Sequence, residues 1–486
     1  MSAAMTLDRL LDGIAPAPPL AVRGLTLDSR RIAPGDAFVA VAGGTRHGLA
    51  FAPQAVERGA VAVLADRPAD RDPGVPLVVV PGLRARLGEI ANRFHGRPSE
   101  SLVVIGVTGT NGKTSTVQLL AQALERLGCR AGTIGTLGAG LHGRLVAGER
   151  TTPDVLEVHG LLATMREAGA THVAMEVSSH ALDQGRVDGV RFRVARFTNL
   201  SHDHLDYHGT MEAYFAAKAR LFREFPLAAA VIDVDGAWGR RLAEGPLSAR
   251  RVVRTCTRGE GPAEWRAEGI VTSPAGIAFD LVAPEARRRV ESALLGRFNV
   301  ANLVGVAACL GELGWPVDAI ADVLARLEPI PGRMNRIGPA DGPLVVVDYA
   351  HTPDALEKAL ESLRAHTPGR LVCVFGCGGE RDAAKRPVMG AIAERLADVV
   401  VITDDNPRGE DGEAIVAAIA GGMARPERAR IERDRAAAIA AAIAMAGPGD
   451  TVLIAGKGHE AYQERGGVRL PFDDAAVAAR ALGVAA

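Results

Sequence analysis

Apolar positions along this chain alternate between two patterns. Short unbroken aliphatic runs read as buried strands, and stretches in which apolar side chains recur every three or four residues read as helix faces. The sharpest change between the two comes after residues 102–105, an apolar run. The turn Gly106-Val107-Thr108-Gly109-Thr110-Asn111-Gly112 follows, and then Val117, Leu120, Ala121, Leu124 and Leu127 recur at helical spacing until Gly128 stops them. Upstream, residues 37–42, 61–64 and 76–80 are strand candidates, the last two separated by the polar loop 67–74. Downstream, residues 172–175 form a strand that ends at Glu176. The last third repeats one unit, an apolar strand with a charged or glycine-rich loop at its end. Residues 344–347 lead to Asp348, 371–375 to Gly376-Cys377-Gly378-Gly379-Glu380-Arg381, 399–403 to Asp404-Asp405-Asn406-Pro407-Arg408, and 452–455 to Gly456-Lys457-Gly458-His459-Glu460. Helical patterns, including the alanine-rich 435–446, lie between them. The whole predicts an α/β protein whose last part is a mostly parallel, doubly wound sheet with its loops along one crevice.

Two proline- and glycine-bearing stretches, 95–100 and 328–333, read as linkers and divide the chain at 1–98, 99–331 and 332–486. Three domains suit 486 residues, at roughly 150 residues per domain. Hydrophobic residues at 48% and charged residues at 23% suffice to bury real cores. Lys and Arg (56) balance Asp and Glu (57), so no basic field exists to hold nucleic acid or a membrane surface. Five scattered cysteines, of which only Cys373 and Cys377 are close, point to reduced thiols in a cytoplasmic enzyme. The first sixteen residues lack the apolar core of a signal peptide. No apolar stretch approaches the ~18 residues of a membrane span.

The turn at 106–112 sits where a phosphate-binding loop belongs, between a strand and a helix, and ends in Gly112-Lys113-Thr114. Backbone N–H groups of Gly109, Thr110, Asn111, Gly112 and Ser115 are placed to close around phosphate oxygens, with the positive helix end behind them. Lys113 would reach the β and γ phosphates of ATP and Thr114 would hold Mg²⁺. Val107 departs from the common form, which has glycine there. Glu176, acidic at the carboxyl end of a strand, is a candidate Mg²⁺ ligand. His202, His204 and His208 make a zinc site conceivable, but without thiolates and among oxygen donors the stretch suits Mg²⁺ better. Lys218 shares a helical stripe with Tyr214, Leu221 and Phe222. Such a lysine either snorkels its amine outwards or stays unprotonated and reacts with CO₂ to a carbamate, turning a cation into an oxygen ligand. Asn299 and Asn302, one turn apart, either cap and pack or meet an adenine edge. The polar knot Thr26-Leu27-Asp28-Ser29-Arg30 reads as a turn capped by Asp28. The run 376–381 ends in Arg381 where a dinucleotide fingerprint has glycine, which disfavours hydride transfer.

Five motifs together make the chain resemble the Mur ligase family along essentially its whole length. They are Thr108-Gly109-Thr110-Asn111-Gly112-Lys113-Thr114, Met175-Glu176-Val177-Ser178-Ser179-His180, Asp203-His204-Leu205-Asp206-Tyr207-His208-Gly209, Gly332-Arg333-Met334 and Asp348-Tyr349-Ala350-His351-Thr352-Pro353-Asp354. The resemblance implies a small N-terminal α/β domain for a UDP-sugar, a central ATPase and a C-terminal Rossmann-like domain. It implies that Lys218 is carbamylated and that Glu176 and His204 hold Mg²⁺. It assigns Leu27, Ser29, Thr151, Thr152, Ser178, Gln184 and Arg186 to UDP-N-acetylmuramoyl-L-alanyl-D-glutamate. Asn299, Arg333 and Asp348 go to the nucleotide; Asp405, Asn406, Pro407 and Arg408, with Arg381, Gly456 and Glu460, go to meso-diaminopimelate. Arg150 stands where some relatives have Asn, and Gly44-Thr45-Arg46 departs from the expected uridine loop.

The implied chemistry is ADP-forming amide ligation in peptidoglycan precursor synthesis, by a cytoplasmic monomer. ATP turns the acceptor carboxylate into an acyl phosphate, with charge spread over Lys113 and two Mg²⁺ ions, and the amine then displaces phosphate. Three rivals are a lysine-adding ligase of the same architecture, a folylpolyglutamate-type ligase, and a nucleotide-binding switch without chemistry. They predict, in turn, no use for Arg408, no UDP-sugar domain, and no ADP formation.

Overall fold

The apolar runs become strands, and the strand ends become the loops that carry the polar motifs. The structure, a computed structural model, describes residues 5–43, 46–259, 262–338 and 342–484. It divides into two compact units, Met1–Val253 and Arg254–Ala486, each taken here by itself.

In the first unit, strands Leu25–Thr26, Ala37–Ala40, Ala62–Ala65 and Leu77–Val79 pair in that order and all in parallel. Every residue of the two middle strands is buried, because both faces are covered. Helix Leu83–Phe94 seals one face with Leu83, Leu87, Ile90 and Phe94, and Ala52 and Ala55 of helix Ala52–Glu57 seal the other. The polar knot behaves as a turn: Asp28 accepts from Arg30 N at 2.9 Å and caps a short 3₁₀ turn, Ser29–Arg31. Residues 95–100, expected as a linker, are instead packed. Pro98–Ser101 is a helical turn, the buried Ser99 hydroxyl accepts from Arg191 N at 3.0 Å, and Arg166 donates to the carbonyls of His95 and Gly96.

The second sheet of this unit holds Val103–Thr108 in its middle. Phe192–Phe197 and then Leu227–Asp233 lie on one side; His172–Glu176, Ala131–Gly135 and Gly138–Leu141 lie on the other. All these pairs are parallel except the last. From Val103–Thr108 the chain runs to one side through helix Lys113–Arg126 and later returns to the other. Its loop therefore falls where strand order reverses, the crevice in which such sheets bind ligands.

In the second unit, Trp265–Ser273, Gly276–Val282 and Arg287–Ser292 form an antiparallel meander. Helix Arg297–Glu312 packs on it so closely that a Cβ on Gly311 would stand 2.4 Å from the Trp265 ring. A further sheet has the order Asn335–Ile337, Leu344–Asp348, Thr451–Ala455, Leu371–Phe375, Val399–Ile402, Arg430–Ile431, and only its first pair is antiparallel. Successive residues face opposite sides: Val346, Cys373 and Phe375 meet one layer of helices, while Val345, Val347, Val372 and Val374 meet Ala438, Ile439 and Ala478 of the other. This is the doubly wound sheet expected, with the four polar loops at its strand ends. All five cysteines are free, and four of them are buried. Among the described residues no helix is long and apolar enough to cross a membrane.

Candidate active site

The phosphate loop is shaped by two glycines with positive φ, Gly109 at 150° and Gly112 at 83°. At Gly109 a side chain is impossible, since a Cβ would lie 1.9 Å from Thr198 Oγ1. Gly112 turns the chain into helix Lys113–Arg126, whose first turn holds the buried Thr114 and Ser115. Lys113 folds back on the loop: its Nζ donates to the carbonyls of Gly109 (2.9 Å) and Thr110 (2.8 Å). Across the loop, Asn199 holds both ends of the Asn111 peptide. Its Oδ1 accepts from Asn111 N at 3.0 Å and its Nδ2 donates to Asn111 O at 3.1 Å.

Lys218 comes from helix Met211–Arg223, capped by Thr210, and does not snorkel. It is 1% exposed, its Nζ donates to Gly109 O at 2.8 Å, and it lies 4.6 Å from the Tyr214 ring centroid. Burial pushes its amine well below the usual lysine range, the nearby Lys113 cation pushes the same way, and Asp203 opposes them. Tyr214, whose hydroxyl meets Thr110 Oγ1 at 3.2 Å, is pushed up to about 12 by burial.

Glu176 ends its strand beside Val107 and is 1% exposed. Its carboxylate accepts from Thr136 N (2.8 Å) and Thr136 Oγ1 (3.3 Å), and Thr136 Oγ1 meets Thr151 Oγ1 at 3.1 Å. A Cβ on Gly135 would stand 2.4 Å from Glu176 Oε1, so glycine makes room for this acid. His204 is exposed, at φ 52°, with its ring 4.9 Å from His180 and 6.1 Å from Tyr214. His180 and His208 are both shifted down by burial; His204 adds to the shift at each, while Asp206, and Asp183 at His208, oppose it. Among the described residues no group of three His, Cys, Asp or Glu side chains is placed to hold a metal ion.

The residues expected to hold the sugar-linked substrate fall in two places. Thr152 Oγ1 donates to Glu176 O (2.8 Å) and accepts from Ser178 N (3.2 Å). Arg186 donates to Thr152 O (3.0 Å) and to Gln184 Oε1, while Gln184 donates to the Tyr207 hydroxyl (3.0 Å). Thr151, Thr152, Ser178, Gln184 and Arg186 thus line one polar wall beside Glu176. Leu27 and Ser29 follow the strand Leu25–Thr26 of the N-terminal sheet, Ser29 in the 3₁₀ turn, and Ser29 Oγ donates to Gln54 Oε1 at 2.7 Å. Of the expected uridine loop, Gly44 and Thr45 lie outside the described residues; Arg46 accepts from Gly43 N at 3.0 Å.

In the second unit, Asn299 is buried at the start of its helix and donates to Leu295 O (2.7 Å) while accepting from Asn302 (2.8 Å). The two asparagines thus pack against each other, while the helix's N-cap, Gly296, makes no side-chain capping bond. Asp348 accepts from Met334 N at 2.7 Å; burial shifts its carboxyl up, and the Arg333 guanidinium opposes that shift. Arg333 itself lies 5.0 Å from the Tyr349 ring centroid.

Three loops of this sheet converge on Asn406. Its Nδ2 donates to Glu460 Oε2 (2.9 Å), and its Oδ1 accepts from the fully buried Lys457 (3.0 Å) and from Glu464 N (3.0 Å). Arg408, at φ 54°, donates to Gly379 O at 2.7 Å and is pinned by its backbone to Glu464 and Gly466. Gly379 packs under Pro407 O, and a Cβ on Gly378 would stand 2.9 Å from the Arg408 guanidinium and 3.8 Å from exposed Arg381. Asp405 is buried against Gly456, where a Cβ would lie 2.6 Å from its carboxylate; burial shifts it up, opposed by Arg435 and Lys457. Behind these loops stand ion pairs that sequence reasoning passed over: Arg433 with Asp404 at 3.0 Å, and Arg435 with Asp474 at 2.7 Å, the latter pair wholly buried. Arg435 also donates to Ala455 O and Asp404 O, tying two of the loops together. Nothing in their local sequence marks them, because each partner is some thirty or more residues away.

Residues 21–95 match the model "Mur ligase family, catalytic domain", 107–310 the "Mur ligase middle domain", and 332–458 the "Mur ligase, glutamate ligase domain". A UDP-N-acetylmuramoyl-L-alanyl-D-glutamate–2,6-diaminopimelate ligase of Xanthomonas campestris is 60% identical over 485 residues, covering 99% of this chain and 98% of that one. One of the same name from Pseudomonas aeruginosa is 52% identical over 466 residues, covering 95% of each. The solved structure of a ligase of that name has a TM-score of 0.76 at 37% identity, covering 99% of both chains.

Proposed function

This chain belongs to the Mur ligase family, and from that premise we propose that it is an ADP-forming ligase joining meso-2,6-diaminopimelate to UDP-N-acetylmuramoyl-L-alanyl-D-glutamate in peptidoglycan precursor synthesis. The observation that carries the reading is the end-to-end likeness, 60% over 485 residues, to a relative named for that reaction. The domains are read as 1–98 for the UDP-sugar, 99–331 for ATP and 332–486 for the incoming amino acid.

A carboxylate does not condense with an amine in water, so the D-glutamyl carboxylate first attacks the γ phosphorus of ATP and ADP leaves. The amine of diaminopimelate, having lost its proton, then attacks the acyl carbon; the C–N bond forms and inorganic phosphate departs. Lys113 leaves the carbonyls of Gly109 and Thr110 to meet the β and γ phosphates, with the helix end behind it. Thr114, Glu176, His204 and Lys218 as a carbamate are the residues that would hold Mg²⁺. A buried carboxylate, a hydroxyl and carbamate oxygens are hard donors of the kind this ion takes alongside phosphate oxygens and water. When bound, Mg²⁺ supplies neutralisation of phosphate charge. The loop from Gly109 to Ser115, with Asn299, Arg333 and Asp348 by side chain, serves ATP. Leu27, Ser29, Thr151, Thr152, Ser178, Gln184 and Arg186 serve the UDP-linked acceptor, and Arg150 changes one contact that some relatives make with Asn.

Arg408 takes the distal carboxylate of diaminopimelate with its planar fork. Arg381, Asp405, Asn406, Pro407, Gly456 and Glu460 surround the amino acid. Both ATP and UDP-sugars are cytoplasmic compounds, which assigns the enzyme to the cytoplasm; a monomer suffices for the reaction.

Phosphate release from the UDP-linked dipeptide, ATP and Mg²⁺ is the test, with meso-diaminopimelate compared against L-lysine. Release with diaminopimelate alone is expected. Release with lysine instead would keep the ligase and overturn the role of Arg408; ATP binding without release would leave only a nucleotide-binding protein.

A further inference from the structure

We propose that Asn199, with Thr198, is a positioning residue of the phosphate-binding loop: its side-chain amide grips the Asn111 peptide at both ends and withdraws the Asn111 N–H from the donors offered to phosphate. The proposal rests on the nucleotide reading of the loop and says how that loop acquires its shape.

Strand Phe192–Phe197 pairs with the loop strand up to Phe197 opposite Thr108. The backbone continues that pairing for one more step, with Thr198 N on Thr108 O and Thr110 N on Asn199 O, both at 2.9 Å. There the two backbones part, and side chains take over. A carboxamide presents an acceptor oxygen and an N–H donor side by side, so it can pair with the N–H and C=O of one residue as a neighbouring antiparallel strand would. Asn199 does this with Asn111, at 3.0 and 3.1 Å. Only one orientation of the amide satisfies both contacts, because turning it over would set donor against donor and acceptor against acceptor. Thr198 adds a third bond, Oγ1 to Asn111 O at 2.7 Å, from the buried position that forces glycine at 109.

In a bare phosphate loop successive N–H groups converge on one anion. Here the Asn111 N–H is turned to Asn199 Oδ1, which leaves the anion to the N–H groups from Gly112 onward, at the start of a long helix, and to Lys113. The loop between two positive-φ glycines is thereby held open before nucleotide arrives. Losing the grip should cost affinity through lost pre-organisation and not through a lost contact.

The experiment is isothermal titration of ATP with Mg²⁺ into the whole chain, alongside its unfolding temperature. Asn199→Ala should weaken ATP binding about tenfold, the effect of one or two net hydrogen bonds. Asn199→Asp should weaken it further, because it keeps the acceptor for Asn111 N–H but sets an anionic oxygen against Asn111 O and near the phosphates. Thr198→Val should weaken it severalfold and Thr198→Ser should not, which keeps the test open if a change at 199 prevents folding. A structural role alone would lower the unfolding temperature without this order of affinities. Wild type that binds while every variant binds within twofold of it would overturn the proposal. Wild type that binds no ATP would remove the nucleotide reading first.

Discussion

Lys113 and Lys218 donate to one acceptor, the carbonyl oxygen of Gly109, at 2.9 and 2.8 Å. They reach it from different helices, and Lys218 is buried when it arrives. Two ammonium groups on one carbonyl repel, and burial adds to the cost of charging the second. Lys218 is the one whose amine is pushed well below the usual lysine range, by burial first and then by Lys113. A free amine adds to CO₂: the N–C bond forms, a proton leaves, and the carbamate carries a negative charge. On Lys218, beside Lys113, that charge would turn repulsion into attraction.

Lys218→Ala is therefore expected to lose at least about a hundredfold in phosphate release, the scale of removing one electrostatic stabiliser of the transition state. A small carboxylate such as acetate should restore part of it by standing in for the carbamate. Steady-state assays with and without added acetate check this; full activity in Lys218→Ala would remove the carbamate from the mechanism.

Arg408 sits at φ 54° with its backbone fixed on both sides, so its guanidinium is aimed before any amino acid arrives. Arg408→Ala should cut kcat/KM for diaminopimelate by two or more powers of ten, because a site built around a polar partner rejects what leaves it unpaired. KM for ATP should stay put. Arg408→Lys should recover little, since an ammonium lacks the two-pronged geometry. Unaltered kinetics with diaminopimelate in Arg408→Ala would strike this residue from the site.

The wholly buried pair Arg435–Asp474 makes two 2.7 Å bonds. Breaking such a pair from one side leaves an unanswered buried charge, so Arg435→Met should destabilise by about 3–5 kcal/mol. Arg435→Met with Asp474→Leu should regain most of that loss. Urea unfolding of the single and double variants measures it, and a double variant no better than the single would disprove the charge argument.

His95 is shifted down to about 4, by burial first and then by His159 and Arg166. Its unfolded value is 6.5, so between the two values the unfolded chain binds more protons and stability rises with pH. The penalty is absent well above 6.5, grows as pH falls, and is complete below 4. The urea midpoint should therefore drop less between neutral and mildly acidic pH in His95→Gln than in wild type; equal drops would refute it.

The phosphate loop is legible in the sequence because its cause is local: an apolar run, glycines at the bends, and a helical stripe lie within some thirty residues. The strand ends of the last sheet are legible for the same reason, since buried parallel strands are continuous apolar runs. The meander is not. In Arg287–Ser292 only Val290 and Ser292 are buried, so that strand carries almost no apolar signal. The stretch 95–100 reads as a linker because proline and glycine break patterns wherever they stand, whereas its fastening to Arg166 and Arg191 is long-range. Asn199 hides for a related reason: next to histidines and aspartates it reads as one more polar loop residue, and only strand pairing brings it to Asn111.

The loops around Asn406 have a consequence for inhibitor design. Lys457, Arg433 and Arg435 already hold them to Glu460, Asp404 and Asp474, so these loops are braced from behind by ion pairs. They resist reshaping around a compound that lacks an answer to Arg408. If Arg408 takes the distal carboxylate, a neutral tail would meet the same rejection as lysine, and a competitive molecule for this site would have to bring an anionic end. That requirement works against passage through a lipid bilayer, so potency at this pocket and entry into the cell pull a drug in opposite directions.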